Sequence, residues 1–320
     1  MQMEIQSVSN GDIQLRVVSQ GSGPLILCVH GWPELAYSWR HQIEYFSQRG
    51  YQVAALDVRG YGGSSAPEAI AAYTLKNLAA DVAAVAHSLS DSPAIVFGHD
   101  WGAPIAYHAA LLYPDQFRAV AGLSVPYLPG NDTSSIDLWR ALYPDRFFYQ
   151  LYIQAEGVVE AEVSANISAA LRKIYFALSG DAPTDEWLKH KPATAGLLDD
   201  LIDPEPFPVW MSPADLAVYV TAFEHSGFQG PFNRYRAQTL DVAELTALQG
   251  QKITQPSCFI GGARDAVRHF VPGGDLFADP AAGCADFRGA TLIDNAGHWV
   301  QQEAPEATNE ALQRFVEQLN

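Results

Sequence analysis

Five residues, Gly98-His99-Asp100-Trp101-Gly102, stand where a buried apolar run, AIVFGHD (94–100), gives way to a helical one, WGAPIAYHAALLYP (101–114). A sharp strand-to-helix turn crowds the neighbours of its central residue, so small residues two places before and two after are what such a turn demands. The central side chain is then exposed at the carboxyl edge of a sheet, above a helix N-terminus that favours negative charge. Esterases place serine there; this chain places Asp100. A serine attacking saturated carbon would leave an ether that no imidazole-activated water cleaves. An aspartate leaves an ester, and esters hydrolyse. Asp100 therefore points to attack on an sp³ carbon bearing a leaving group, followed by hydrolysis of a covalent ester. An aspartate ahead of a helix is more commonly an N-cap, but the paired glycines favour the nucleophile. No G-x-S-x-G occurs to supply a serine instead.

A base and an orienting acid belong further along the chain. His298, in DNAGHW, follows the last predicted strand, and Asp265, in GGARDAV, follows the one before it. Loops at the carboxyl edge of a parallel sheet converge, so both side chains are expected beside Asp100. His298 would deprotonate water while Asp265 holds its tautomer and stabilises the imidazolium. Asp132, after an earlier strand, is the rival acid. His41, His87 and His108 fall in predicted helices, and His30 and His99 flank motif loops, where orienting backbone is the plainer role. His30-Gly31-Trp32-Pro33 ends another apolar strand. The backbone N–H groups of Trp32 and Trp101 would form an oxyanion hole for charge on the aspartyl carbonyl, and both residues would line the substrate pocket. A plain turn explains HG-x-P equally well.

The elements that must position these residues read as alternating strands and helices. MEIQSV (3–8), DIQLRVV (12–18), PLILCVH (24–30) and QVAALD (52–57) read as strands, as do AVAGLSVPY (119–127), SCFIGGARD (257–265) and ATLIDNAGH (290–298). Helical spacing marks about 37–48, 75–89 and 305–319. Strands that are nearly all apolar imply a parallel sheet covered on both faces. The stretch from about 134 to 239 differs: it is rich in tyrosine, phenylalanine and tryptophan, mostly helical in period, and broken by prolines at 204–213. The simplest organisation is a doubly wound, mostly parallel α/β core (1–133 and 240–320) interrupted by a mainly helical insertion (134–239).

HGWP (30–33), DVRGYGGSSAP (57–67), GHDWGA (98–103), YQLYIQAEGVVEAE (149–162), NRYR (233–236) and NAGHW (295–299) together resemble the α/β-hydrolase-fold epoxide hydrolases. The likeness is closest to the hydrolase domain of the soluble enzymes and their bacterial relatives. It spans nearly the whole chain, with the 134–239 insertion as the family's cap. GHDWG is shared with haloalkane dehalogenases and marks only the superfamily; the cap motifs discriminate. The resemblance implies that two cap tyrosines, Tyr149 before QLY and Tyr235 inside NRYR, grip the epoxide oxygen. A phenol suits that task, because its pKa of about 10 lets it give a proton to an alkoxide without being ionised at neutral pH. Among 14 tyrosines, Tyr152 is the nearest competitor for the first role. Tryptophan at 32, where the family often carries phenylalanine, would narrow the pocket mouth.

The reading is thus hydrolysis of apolar aryl or alkyl epoxides to vicinal diols, with epoxide and water as partners and no cofactor. The alternative is a haloalkane dehalogenase, in which the indole N–H groups of Trp101 and Trp32 would bind halide. A fluoroacetate dehalogenase is weaker, since Trp101 and Pro104 stand where arginines are wanted. A non-catalytic receptor of the same fold would be expected to lack one of the five side chains. With 19 basic against 36 acidic residues, the net charge of −17 argues against nucleic acid or an anionic membrane as partner. No apolar run reaches the ~18 residues of a membrane span, and the first residues lack a signal pattern. Three scattered cysteines suit neither disulfides nor zinc. A soluble cytoplasmic enzyme, with a homodimer as a compatible assembly, is the resulting expectation.

Overall fold

The computed structural model describes residues 3–319; Met1, Gln2 and Asn320, the outermost residues of the two expected core segments, lie outside them. Among the described residues, eight strands form one sheet: β1 (Glu4–Asn10), β2 (Ile13–Gly21), β3 (Leu25–Val29), β4 (Gln52–Leu56), β5 (Ala94–His99), β6 (Phe117–Leu123), β7 (Ser257–Gly262) and β8 (Phe287–Ile293), in the order β1-β2-β4-β3-β5-β6-β7-β8. From β4 to β8 every neighbouring pair is parallel. The first two strands are the exception to the parallel reading: β1 pairs β2 antiparallel, and β2 pairs β4 antiparallel. A tight Asn10–Ile13 turn, with Gly11 at φ +58°, leaves no room for the crossover that parallel pairing needs.

The wholly buried central strands still alternate. Leu25, Leu27 and Val29 of β3 and Val96 of β5 join the core on one face, while Ile26, Cys28, Ile95 and Phe97 join the core on the other. The first face is covered by α2 (Leu75–Leu89) and α3 (Gly102–Leu112). The second is covered by α1 (Arg40–Ser47) and by the C-terminal pair α11 (Val300–Glu303) and α12 (Pro305–Glu317). In α2 the buried positions Leu75, Leu78, Val82 and Val85 recur at helical spacing. Between β6 and β7 the chain leaves the sheet for α4 (Ser135–Leu142), α5 (Tyr149–Tyr152), α6 (Val158–Ser164), α7 (Ile167–Ala177), α8 (Pro213–Ser226), α9 (Gln229–Arg236) and α10 (Gln238–Glu244). Residue 239, the expected end of the insertion, falls inside α10.

β6 ends four residues before the expected limit of 127, because Ser124 takes a left-handed φ of +62° and turns its hydroxyl onto the His298 carbonyl, 2.7 Å away. All the parallel strands point their carboxyl ends at one edge of the sheet, where α/β folds place ligands.

Candidate active site

Asp100 follows β5 directly and holds φ at +51°, a conformation that side chains rarely adopt outside strained turns. Its flanks explain the glycines. A Cβ on Gly98 would lie 2.2 Å from the Gly102 carbonyl oxygen, and one on Gly102 would lie 2.0 Å from that of Val29. The turn thus exists only because both positions are bare.

The carboxylate's two oxygens have different partners. Oδ1 accepts the Trp32 backbone N–H at 2.8 Å, and Oδ2 lies 3.2 Å from His298 Nε2. Gly31 brings the HGWP loop this close, since a Cβ there would stand 2.2 Å from Oδ1 and 2.6 Å from the Trp101 amide nitrogen. The two amides expected as an oxyanion hole therefore flank one small space, and the Trp32 amide already bonds the carboxylate.

His298 Nδ1 bonds Asp265 Oδ2 at 3.0 Å, and the other Asp265 oxygen accepts the Val267 N–H at 2.9 Å. Asp132, the rival acid, is exposed on the loop after β6. Burial opposes a charge on His298, but the Asp265 and Asp100 carboxylates outweigh it and hold the imidazole pKa well above its ordinary value. Burial likewise opposes the Asp100 charge, and His298 first, with His99 and the Trp32 N–H behind it, more than offsets burial, so the Asp100 pKa lies below the usual carboxylate value.

His99 and His30 hold backbone, as their places beside the motif loops suggest. His99 Nε2 bonds the His298 carbonyl at 2.7 Å, and its Nδ1 bonds Glu34 at 2.7 Å. His30 Nε2 accepts the Val58 N–H, which leaves Nδ1 protonated against the Gly31 carbonyl. Two carboxylates here, the buried Glu34 and the half-buried Glu303, escaped sequence reasoning. Glu34 accepts from the side chains of Gln301 and Gln302 as well as from His99. Glu303 accepts three backbone N–H groups, from Gly180 and Gly297 on one oxygen and Trp299 on the other.

Tyr149 opens α5 and Tyr235 lies in the last turn of α9, yet their rings meet edge to face at 5.8 Å. Trp101 stacks edge-on against Tyr235 at 5.3 Å, so both phenols sit over the Asp100 turn. Burial, then the Asp100 charge, drives the Tyr149 pKa far up, and burial does the same for Tyr235. Both are neutral donors at any working pH. Tyr152, one turn on, instead bonds Glu162 at 2.8 Å.

A cavity of about 390 Å³ reaches Asp100, Trp101 and Tyr149. Its walls are mainly apolar (Pro104, Val125, Val267, Phe270), and its rim carries the exposed Leu128 and Leu138. His108, whose expected place was an ordinary helix position, also lines it. Trp32, expected in the pocket wall, is not among the lining residues. Its buried indole packs on Phe232 and Tyr235, behind the wall.

The sheet order and the strained elbow define an α/β hydrolase, and a profile described as the alpha/beta hydrolase fold matches residues 24–179. Epoxide hydrolase A of Mycobacterium tuberculosis (strain ATCC 25618 / H37Rv) is 38% identical over 314 residues, covering 97% of this chain and 96% of its own. Among solved structures, an epoxide hydrolase from an endophytic Streptomyces superposes with a TM-score of 0.92 at 41% identity, covering 99% of this chain and 95% of that one. Epoxide hydrolase A from Mycobacterium thermoresistibile gives 0.92 at 40%, covering 99% and 98%. The chain belongs to the epoxide hydrolases of the α/β-hydrolase fold. Between the two leaving groups compatible with Asp100, the relatives therefore favour the epoxide over the halide.

Proposed function

We propose that Asp100, His298, Asp265, Tyr149 and Tyr235 open apolar aryl or alkyl epoxides to vicinal diols through an ester on Asp100, with residues 134–239 acting as the cap. The observation that carries this reading is His298 spanning Asp100 Oδ2 and Asp265 Oδ2 at the foot of a cavity that Tyr149 also lines. Asp100 Oδ2 attacks a ring carbon, the carbon–oxygen bond breaks, and the ring oxygen takes a proton from a cap phenol. The ester no longer carries the charge that helped hold His298 protonated. The proton His298 then releases replaces the one the phenol gave, leaving a neutral imidazole as base. Water attacks Cγ as His298 takes its proton, and charge collects on Oδ1 against the Trp32 and Trp101 amides. Collapse frees the diol and restores Asp100 and the imidazolium, so epoxide plus water gives diol with no cofactor.

The mainly apolar lining supports uncharged epoxides as substrates. The cytoplasmic and homodimeric expectations carry over as part of the proposal, tested by fractionation and light scattering. Neither enters the chemistry, since all five side chains come from one chain.

The test is intact mass of the His298→Ala variant mixed with styrene oxide. One substrate added per chain, mapped to Asp100, is the expected outcome, with diol formation slowed by roughly 10²–10⁴-fold or more. Unmodified protein throughout, with wild-type bromide release from 1-bromobutane, would overturn it.

A further inference from the structure

Gln150, directly after Tyr149, is buried in the cavity wall, and all its side-chain polar contacts lie within the cap. Its Oε1 accepts from Trp139 Nε1 at 3.1 Å and from Gln238 Nε2 at 3.2 Å. An indole nitrogen can only donate, so the Gln150 atom facing Trp139 is oxygen and the amide cannot be flipped. Gln238 is itself held, since its Nε2 also donates to the Tyr235 carbonyl at 2.9 Å. Gln150 Nε2 must then face Tyr149, and it donates to the phenolic oxygen at 3.0 Å.

That contact has a direction. A phenolic oxygen that accepts an N–H must turn its own hydrogen elsewhere, and the open side of Tyr149 is the cavity it lines. We infer that Gln150 is a positioning residue for ring opening: its N–H aims the Tyr149 proton at the epoxide oxygen and stabilises the phenolate left behind. This rests on the proposed role of Tyr149. During the step, the bond from Asp100 Oδ2 to carbon forms as the ring carbon–oxygen bond breaks. The ring oxygen keeps the electron pair and takes the Tyr149 proton, and the negative charge that remains on Tyr149 sits against the Gln150 N–H. The bond is a neutral contact before ring opening and a charge-assisted one after it, so it strengthens as the barrier is crossed. Burial and the Asp100 charge disfavour a Tyr149 phenolate, and the Gln150 contact works against both.

The experiment compares Gln150→Glu, Gln150→Met and Tyr149→Phe, alone and in pairs, by rapid quench and intact mass of the Asp100 ester with styrene oxide. Near-ultraviolet dichroism checks that each variant is folded. Gln150→Glu keeps the size and the acceptor for Trp139 and Gln238 but offers Tyr149 no donor; Gln150→Met keeps the volume alone. Both are expected to slow ester formation about 10- to 100-fold, the range for a hydrogen bond to a charged group. Ester breakdown should change less than about twofold, because no phenolate forms in that step. In a Tyr149→Phe background the Gln150 substitutions should cost nothing more. The loss should also shrink for an epoxide carrying a trifluoromethyl group, whose less basic alkoxide asks less of the acid. Wild-type ester formation in Gln150→Glu, or an equal loss with and without the Tyr149 hydroxyl, overturns the inference and leaves the proposed function standing. Wild-type ester formation in Tyr149→Phe overturns the role assigned to Tyr149, and this inference with it.

Discussion

In the resting protein His298 lies between two carboxylates, and each of them raises its pKa. Removing the Asp100 charge must lower it. Nuclear magnetic resonance titration of Asp100→Asn should therefore show the His298 imidazole losing its proton at a lower pH than in the wild type, a change in the direction that ester formation would produce. An unchanged titration would mean that Asp265 alone holds the imidazolium. The three side chains that the structure brings together at the candidate site, Asp100, His298 and Asp265, were legible in the chain from local pattern. Asp100 is announced by its flanking glycines, and His298 and Asp265 by the ends of apolar strands. Gln150 and Glu303 were not, because their meaning lies in partners far away. Gln238 stands 88 residues from Gln150, and Gly180 stands 123 from Glu303. Trp32 was misplaced for a related reason: its backbone reaches the carboxylate, but the ring's direction depends on α9, whose Phe232 and Tyr235 receive it.

Among the elements, the loop between β8 and α11 carries His298 and is fastened by Glu303 of α11. Burial overcomes the three amides that Glu303 accepts and lifts its pKa from the ordinary 4.5 to about 7. The folded chain then holds a proton there that the unfolded chain has released. This contribution to stability is complete below pH 4.5 and is lost as pH climbs through about 7, a span worth about 3 kcal/mol. Urea unfolding at both ends of that range should show the wild type losing stability with rising pH from this group. Glu303→Gln should lack that slope and should sit about 1–3 kcal/mol lower, since one of the three amides loses its acceptor. A slope equal to the wild type's would assign the pH dependence elsewhere. Although β7 and β8 end at Gly262 and Ile293, three and five residues before the expected limits of 265 and 298, strand existence and most strand starts followed from apolar runs and alternation. The antiparallel start did not, because β1 is mostly exposed and its pairing was decided by a turn at Gly11 rather than by hydrophobic pattern.

At the scale of the whole molecule, 36 acidic against 19 basic side chains give a field that acts on any ligand before it reaches the cavity. An anionic epoxide such as fosfomycin should be turned over far less efficiently than styrene oxide, and its kcat/KM should rise with added salt as the repulsion is screened. Styrene oxide should be indifferent to salt. Equal salt dependence for the two, or a preference for the anion, would count against the apolar substrate class. The charge balance was plain from composition, and so was the aromatic richness of the insertion. The shape of the 390 Å³ cavity was not, because it is bounded by residues from α2, α3, α4, α5 and α10 and from four separate loops.

The insertion between β6 and β7 is stitched to the loop that carries His298. The His298 N–H bonds the Leu178 carbonyl at 2.8 Å, the Gly180 N–H bonds Glu303, and a Cβ on Gly180 would stand 2.2 Å from the Asn295 carbonyl oxygen. Two consequences follow for anyone recombining related chains. A cassette transplanted across 134–239 must arrive with the carbonyl of 178 and a bare 180 in register, or it will displace His298 while it reshapes the pocket. Inherited variation in substrate choice has a freer course at the rim, where Leu128, Leu138, Leu245 and Leu248 border the opening and none of them is tied to that loop by a hydrogen bond among the described residues.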